Sequence, residues 1–362
     1  MDKIIKSILK KIESEGYEAY IVGGFVRDKL LKHESFDVDI CTNALPKDLK
    51  RIFKIGNSLN NYGSFNFKIK KYNIDITTYR KESEYVDKRH PNEIEYVNSL
   101  FDDIKRRDFT INSLCMDKNE NIIDLLGGID DLNAKVVRVI GDANIRFKED
   151  PLRMLRAIRL ASVLEFELDV NTFNAIRSNA ELINFVSNER IKDEISKILS
   201  TNNFYIGLNL LYETTISDII GLKFDDVVFT SDILGMWSQI SINKITFSRT
   251  ERDNIAKIRQ ILTLKRLENH ELFIHGLYLS LVAGEILGID KKIINKKYKS
   301  LPVKSMKDIN ISGKEIIEVL NIEPSKKVSD ILVDVRNAIL KLELKNKKGE
   351  IKKYIIRKWK DG

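Results

Sequence analysis

"SFDVDIC", residues 35–41, sets Asp37 and Asp39 two positions apart among Phe36, Val38 and Ile40. In an extended strand successive side chains alternate between faces, so the two carboxylates share one face and the three apolar groups the other. Like charges held this close raise each other's cost of ionisation, so a strand that carries them needs a counter-charge on that face. The flanking sequence extends the same reading. Before it, apolar "AYIV" (19–22) runs into Gly23-Gly24, and "FVRDKLL" (25–31) follows with helical spacing. After it, "FNFKIKKYNIDITTY" (65–79) alternates as two strands joined near Lys71-Tyr72-Asn73. From about Pro151 the apolar period becomes helical almost throughout, "DPLRMLRAIRLASVL" (150–164) being the clearest case. These patterns predict an α+β protein, a small mixed α/β head followed by an all-helical remainder. The expected division is a head at 1–135, a neck at 136–203, a body at 204–290 and a tail at 291–362.

Composition narrows the class. The chain has 362 residues, 43% hydrophobic and 31% charged, which suits a soluble globular protein of several structural units. No run approaches the ~18 apolar residues of a membrane span, and the charged start "MDKIIKSILKKIESEGYEAY" reads as a helix and not as a signal peptide. Cys41 and Cys115 are the only cysteines, which leaves no disulfide framework and points to a cytoplasmic protein. With four histidines (His33, His90, His270, His275), they supply no zinc cluster. The net charge of +8 is unevenly placed: residues 291–362 carry 20 Lys/Arg against 9 Asp/Glu. A basic tail of this kind suits a phosphate backbone and equally a solvated lysine-rich surface. No protein partner is evident.

Alone, an Asp-x-Asp on a strand is more often a solvated face than a metal site. Three neighbours change this. Gly23-Gly24 lie where a strand turns into a helix, so backbone amides can approach phosphate oxygens there. A turn needing glycine only for its backbone angles accounts for the glycines, but not for Arg27 on the first turn of the helix. Asp75, in "YNIDITTYR" (72–80), opposes Ile74 and Ile76 in parity and joins the pair if its strand lies alongside. Three carboxylates beside a phosphate-binding turn make an oxygen-lined pocket suited to Mg²⁺. Two such ions bridge a nucleotide triphosphate and assist attack by a hydroxyl.

"KRRDFTINSLCMD" (105–117) and "RFKEDPLRMLRAIRLAS" (146–162) complete an ordered set with "YIVGGFVRD" (20–28) and "FDVDICTNALP" (36–46). The set resembles the tRNA nucleotidyltransferase and bacterial poly(A) polymerase family, within the polymerase-beta-like nucleotidyltransferases, over about the first 200 residues, ending at "NERIKDEISKIL" (188–199). The resemblance implies a polymerase-beta-like palm, with Asp37 and Asp39 as catalytic metal ligands for two Mg²⁺ ions; strand parity adds Asp75 as a third catalytic carboxylate. It implies nucleotide contacts from Gly24, Arg27, Arg107 and Asp108, and from Asp150, Arg153, Arg156 and Arg159. Lys192 stands where the family usually has arginine, which loses a planar fork; Ser113 replaces a usual alanine. The segment "DINISGKEIIEVLNIEPSKK" (308–327) is only weakly similar to the family's tail. "YRKESEYVDKRHP" (79–91) resembles the loop carried by CCA-adding and A-adding members. A His-Asp phosphohydrolase domain is not seen, since "NHELFIHG" (269–276) lacks the His-Asp pair.

Asp150-Pro151 reads as a helix N-cap and first-turn pair, with Arg153 and Arg156 at successive i+3 steps. A carboxylate accepts hydrogen bonds and a guanidinium only donates, which matches the amine-plus-ring-nitrogen edge that C and A share and mismatches U and G. The expectation is an enzyme that adds C, C and A to the tRNA 3′ end from CTP and ATP without a template, releasing pyrophosphate, with the basic tail clamping tRNA by shape and backbone charge. An A-adding enzyme or a poly(A) polymerase is the alternative within the family, and a non-catalytic RNA-binding protein the alternative outside it.

Overall fold

The computed structural model describes residues 2–54, 64–82 and 94–360. The chain forms two compact units, Met1–Leu222 with Ile242–Ile245, and Lys223–Ser241 with Thr246–Gly362. Among the described residues no helix is long and apolar enough to cross a membrane.

The first unit opens with helix α1 (Lys3–Glu13), started by the Asp2 carboxylate accepting from the Ile4 N–H at 2.8 Å, and buries Ile5, Ile8, Leu9 and Ile12 on one stripe. Strand β1 (Ala19–Val22) leads into α2 (Gly24–Leu30), and β2 (Asp37–Thr42) into α3 (Pro46–Phe53). β3 (Ser64–Ile69) and β4 (Tyr72–Thr78) form a hairpin, as do β5 (Arg80–Glu82) and β6 (Ile94–Tyr96). Helix α4 (Leu100–Lys105), short strands β7 (Cys115–Met116) and β8 (Ile122–Ile123), and α5 (Gly128–Asn133) complete the head. Six strands make one sheet in the order β3-β4-β2-β1-β7-β8, antiparallel except for the parallel pair β2–β4. The expected α+β head is therefore present.

Two local details differ from the expectation. The β3–β4 turn falls at Lys70-Lys71, with Lys70 in the left-handed region at φ 52°, because Tyr72 already pairs with Ile69 and is buried. Phe36 does not join Val38 and Ile40 in the core: it precedes β2 and stays 40% exposed, against the Tyr72 ring and the Lys71 ammonium.

Helices α6 (Ala143–Glu149), α7 (Leu152–Leu164), α8 (Val170–Asn179), α9 (Asn188–Leu199) and α10 (Phe204–Glu213) follow. Ten of the thirteen residues of α7 are buried, Arg153 among them. The second unit is mostly helical, with helices at Arg249–Leu264, Asn269–Ile286, Lys291–Lys299, Gly313–Leu320, Lys326–Leu340 and Lys348–Trp359. Their apolar stripes meet in one core that includes Ile258, Leu272, Ala283, Ile294, Ile316, Ile331 and Ile351. His270 and His275 lie on the second of these helices.

Candidate active site

The sheet register builds the floor of the site. Asp39 pairs with Asp75 and Asp37 with Asn73 across the parallel strands β2 and β4, so all four side chains share one face. The opposite face carries the buried Val38, Ile40, Ile74 and Ile76. The Asn73 side-chain amide donates to Asp37 Oδ1 at 2.7 Å. At the end of β1, Gly23 takes φ 82° and ψ −142°, where glycine is favoured, and a Cβ there stands 3.4 Å from Asp39 Oδ2. The turn thus lies directly against the second aspartate.

Asp39 is accessible through the mouth of the cleft but ringed by protein, and this desolvation raises its carboxyl above the ordinary value; Arg107 opposes the rise and Asp37 adds to it. Burial and the neighbouring Asp39 charge push Asp75 up to about 6. One of its oxygens, Oδ1, is buried without a hydrogen-bond partner. Carboxylates raised by desolvation and by a neighbouring carboxylate, one with an orphaned oxygen, are a donor set that fits a hard divalent cation. No group of three potential ligands close enough to hold one ion occurs among the described residues, so Asp37 and Asp39 are the pair that would hold it. Asp75 is their neighbour in the sheet and not a third member of one cluster.

Above this floor lies a cleft of about 600 Å³ lined by eight arginines and five aspartates. Arg27, on α2, is almost buried; it donates to Asp28 Oδ1 at 2.6 and 2.9 Å and to Asn112 Oδ1 at 2.7 Å. Asn112 passes the connection on, donating to Asp108 Oδ1 at 3.2 Å. Asp108 also accepts from the Arg156 guanidinium, at 2.9 Å from Nε. Burial works to raise the Asp108 carboxyl, but Arg156 holds it down at about 2. Arg107 and Arg106 both donate to the fully buried Asp103, at 3.0 and 2.8 Å, and the Arg80 backbone N–H reaches the same carboxylate at 3.3 Å. Burial alone would raise Asp103; Arg107 and Arg106 bring it below the usual carboxylate range.

The neck supplies the other wall. The helix runs from Leu152, with Pro151 at the cap position, so Asp150 stands one residue earlier than an N-cap; its Oδ1 still accepts from the Leu152 N–H at 3.1 Å. Asp150 and Arg153 both line the cleft. Asp150 accepts from Arg190 at 3.1 Å, and Arg153 donates to Glu149 at 2.7 Å. Arg159 donates to the buried Glu194 at 2.6 Å.

The structure brings Gly24, Arg27, Asp37, Asp39, Arg107, Asp108, Asp150, Arg153, Arg156 and Arg159 to one cavity. Asp75 opens instead on an adjoining recess that shares Asp37 and Asp39. Sequence reasoning passed over Asp103, Asn112, Arg190 and Glu194, which hold the lining side chains. Asp103 had a signal, standing three and four positions before the paired arginines; Asn112 had none outside the tertiary structure. Residues 83–91 of the loop stretch lie outside the described residues.

Comparison with known proteins adds an independent line. The family description "Poly A polymerase head domain" matches residues 19–138, "Probable RNA and SrmB- binding site of polymerase A" matches 165–223, and tRNA nucleotidyltransferase domain 2 matches 239–355. A CCA-adding enzyme of Ligilactobacillus salivarius is 34% identical, over 92% of this chain and 91% of its own. One of Streptococcus uberis is 31% identical, over 97% and 95%. The crystal structure of the Bacillus stearothermophilus CCA-adding enzyme in complex with CTP superposes with a TM-score of 0.84 at 26% identity, covering 99% of this chain and 98% of that one.

Proposed function

The chain belongs to the CCA-adding enzyme family, and on that footing we propose that it adds C, C and A to the 3′ end of tRNA, using CTP and ATP. The observation that carries this reading is the floor of Asp37 and Asp39 beneath a cleft with eight arginines in its lining. A triphosphate brings about four negative charges, which five aspartates alone would repel and the arginines offset.

In the reaction, the 3′-hydroxyl oxygen of the RNA bonds to the α-phosphorus, the bond from that phosphorus to the bridging oxygen breaks, the hydroxyl proton leaves, and pyrophosphate departs. Asp37 and Asp39 would hold two Mg²⁺ ions, whose positive charge would favour ionisation of the hydroxyl and departure of pyrophosphate. Arg27 and Arg107 neutralise phosphate oxygens, and Gly23 and Gly24 let the backbone come close to them. Asp108 and Asn112 fix the guanidiniums of Arg156 and Arg27 in the cleft before substrate enters. Asp150 and Arg153 read the base edge, accepting the amine of C or A and donating to the adjacent ring nitrogen. An unpaired buried polar group opposite U or G costs about 1–3 kcal/mol. Arg190 and Glu149 hold these two side chains apart in the present arrangement. Arg159 holds the neck in place through Glu194. In this reading catalysis lies in residues 1–135 and base recognition in 136–203, while the helical body 204–290 carries the basic tail 291–362 that binds tRNA. Two free, buried cysteines suit a cytoplasmic enzyme.

The deciding experiment supplies tRNA ending before the first C, or after the second, with each nucleotide separately. CMP incorporation on the shorter RNA and AMP on the longer are expected. AMP alone on both would mean an A-adding enzyme or a poly(A) polymerase, and no incorporation would mean a binding module.

A further inference from the structure

The adjoining recess beside Asp75 is unlike the arginine cleft. It holds about 460 Å³ and is lined by Asp37, Asp39, Asn66, Phe67, Lys68, Asn73, Ile74 and Asp75. The register explains how it forms. Asn66 faces Asp75, which faces Asp39; Lys68 faces Asn73, which faces Asp37. Two rows of three polar side chains therefore cross β3, β4 and β2 on one face of the sheet. Among the described residues, the two cavities share Asp37 and Asp39 and no other lining side chain.

We propose that this recess seats the acceptor end of the RNA, with Lys68 on the phosphodiester of the terminal nucleotide and Asn66 and Asn73 on its ribose. The inference rests on the nucleotidyl-transfer reading of the cleft and assigns the second substrate's place. Three observations support it. In phosphoryl transfer the attacking and leaving oxygens stand roughly in line across the phosphorus, so the acceptor approaches the shared aspartates from the side away from the triphosphate. Its charge fits: Lys68 is the one cation lining the recess among the described residues, enough for a single phosphodiester and far too little for a triphosphate, and two amides suit neutral hydroxyls. Finally, the recess reaches β3, the edge strand of the sheet among the described residues. The Lys68 ammonium and the Asn66 amide are exposed and make no hydrogen bond or ion pair with other described residues. In the cleft, by contrast, Arg27, Arg107, Arg153, Arg156, Arg159 and Arg190 are all already paired.

The test uses Lys68→Gln and Asn66→Ala in the full chain. For both, the KM for tRNA lacking its CCA end is expected to rise severalfold, with the KM and the equilibrium affinity for CTP unchanged. For Lys68→Gln the salt slope of tRNA binding falls by about 1, and Lys68→Arg restores it. Loss of CTP affinity in proportion, or an unchanged tRNA KM in both variants, overturns the assignment. A second measurement does not depend on turnover. The same tRNA carrying 4-thiouridine as its last base, irradiated with the wild-type protein, is expected to crosslink to the segment 64–75. Crosslinks confined to other segments overturn the subsite whether or not the protein incorporates nucleotides, whereas failure of CMP incorporation counts against the transfer reading itself.

Discussion

Asp39 sits where a bare carboxylate is costly, partly desolvated and beside Asp37. Removing it relieves that cost without taking a cation from the cleft. Asp39→Ala is therefore expected to abolish CMP incorporation while CTP binding survives in an equilibrium titration; normal turnover by this variant would remove the metal-ligand role. Asp150→Ala takes away the base acceptor and is expected to raise UTP incorporation relative to CTP in a competition assay. Unchanged discrimination would move base reading elsewhere. Asp103 acts at one remove, since it touches the arginines and not the cleft. Deleting one partner of a buried ion pair costs about 3–5 kcal/mol, so Asp103→Ala should lose much of the fold's stability. Asp103→Asn keeps the shape and loses the charge that aims Arg107. Its KM for CTP should rise at least about tenfold, since a charged hydrogen bond contributes ~1.5–3 kcal/mol, while the KM for tRNA stays put. If stability falls and both KM values hold, Asp103 is only structural.

At the level of elements, the parallel pairing of β2 with β4 makes the site, because it sets Asp75 beside Asp39 and, among the described residues, leaves β3 at the sheet's edge. Alternation in the sequence predicted each strand and which side its carboxylates take. Which strand lies next to which depends on a crossover through α3 and β3, and no local pattern encodes that. The other wall depends on how α7 packs. Gly207 of α10 abuts α7 and α9: a Cβ there would come within 2.4 Å of Ile198 Cγ2 and 3.1 Å of Ser162. Overpacking of this kind costs about 1–3 kcal/mol, so Gly207→Ala is expected to lower the thermal midpoint by several degrees. An unchanged midpoint in calorimetry would mean that the interface gives way freely. The α7 arginines were legible from their i+3 spacing. Asp108 and Glu194, the partners of Arg156 and Arg159, were not, since they lie 48 and 35 positions away in the chain.

Over the whole molecule, charge is divided between two tasks. Eight arginines of the first unit line one cavity, whereas the lysines of the last fifth of the chain are spread along helices. Lys292, Lys296 and Lys299 line one shallow recess on Lys291–Lys299. Replacing all three by Ala should weaken tRNA binding alike for every tRNA and lower its salt slope by about 0.7–0.9 for each phosphate that a lysine had neutralised, with the KM for CTP unchanged. An unaltered slope would leave that helix outside the RNA interface. By itself the sequence determined the alternation that puts Asp37 and Asp39 on one face, the glycine turn before α2, the helical character after residue 150 and the segregated positive charge, because each follows from the period of the backbone or from a residue count. The tertiary structure alone decided that Asp75 faces a separate recess, that Asn112 ties Arg27 to Asp108, and that Asp150 pairs with Arg190. Those outcomes depend on distances between segments far apart in the chain, which packing sets and no local period records.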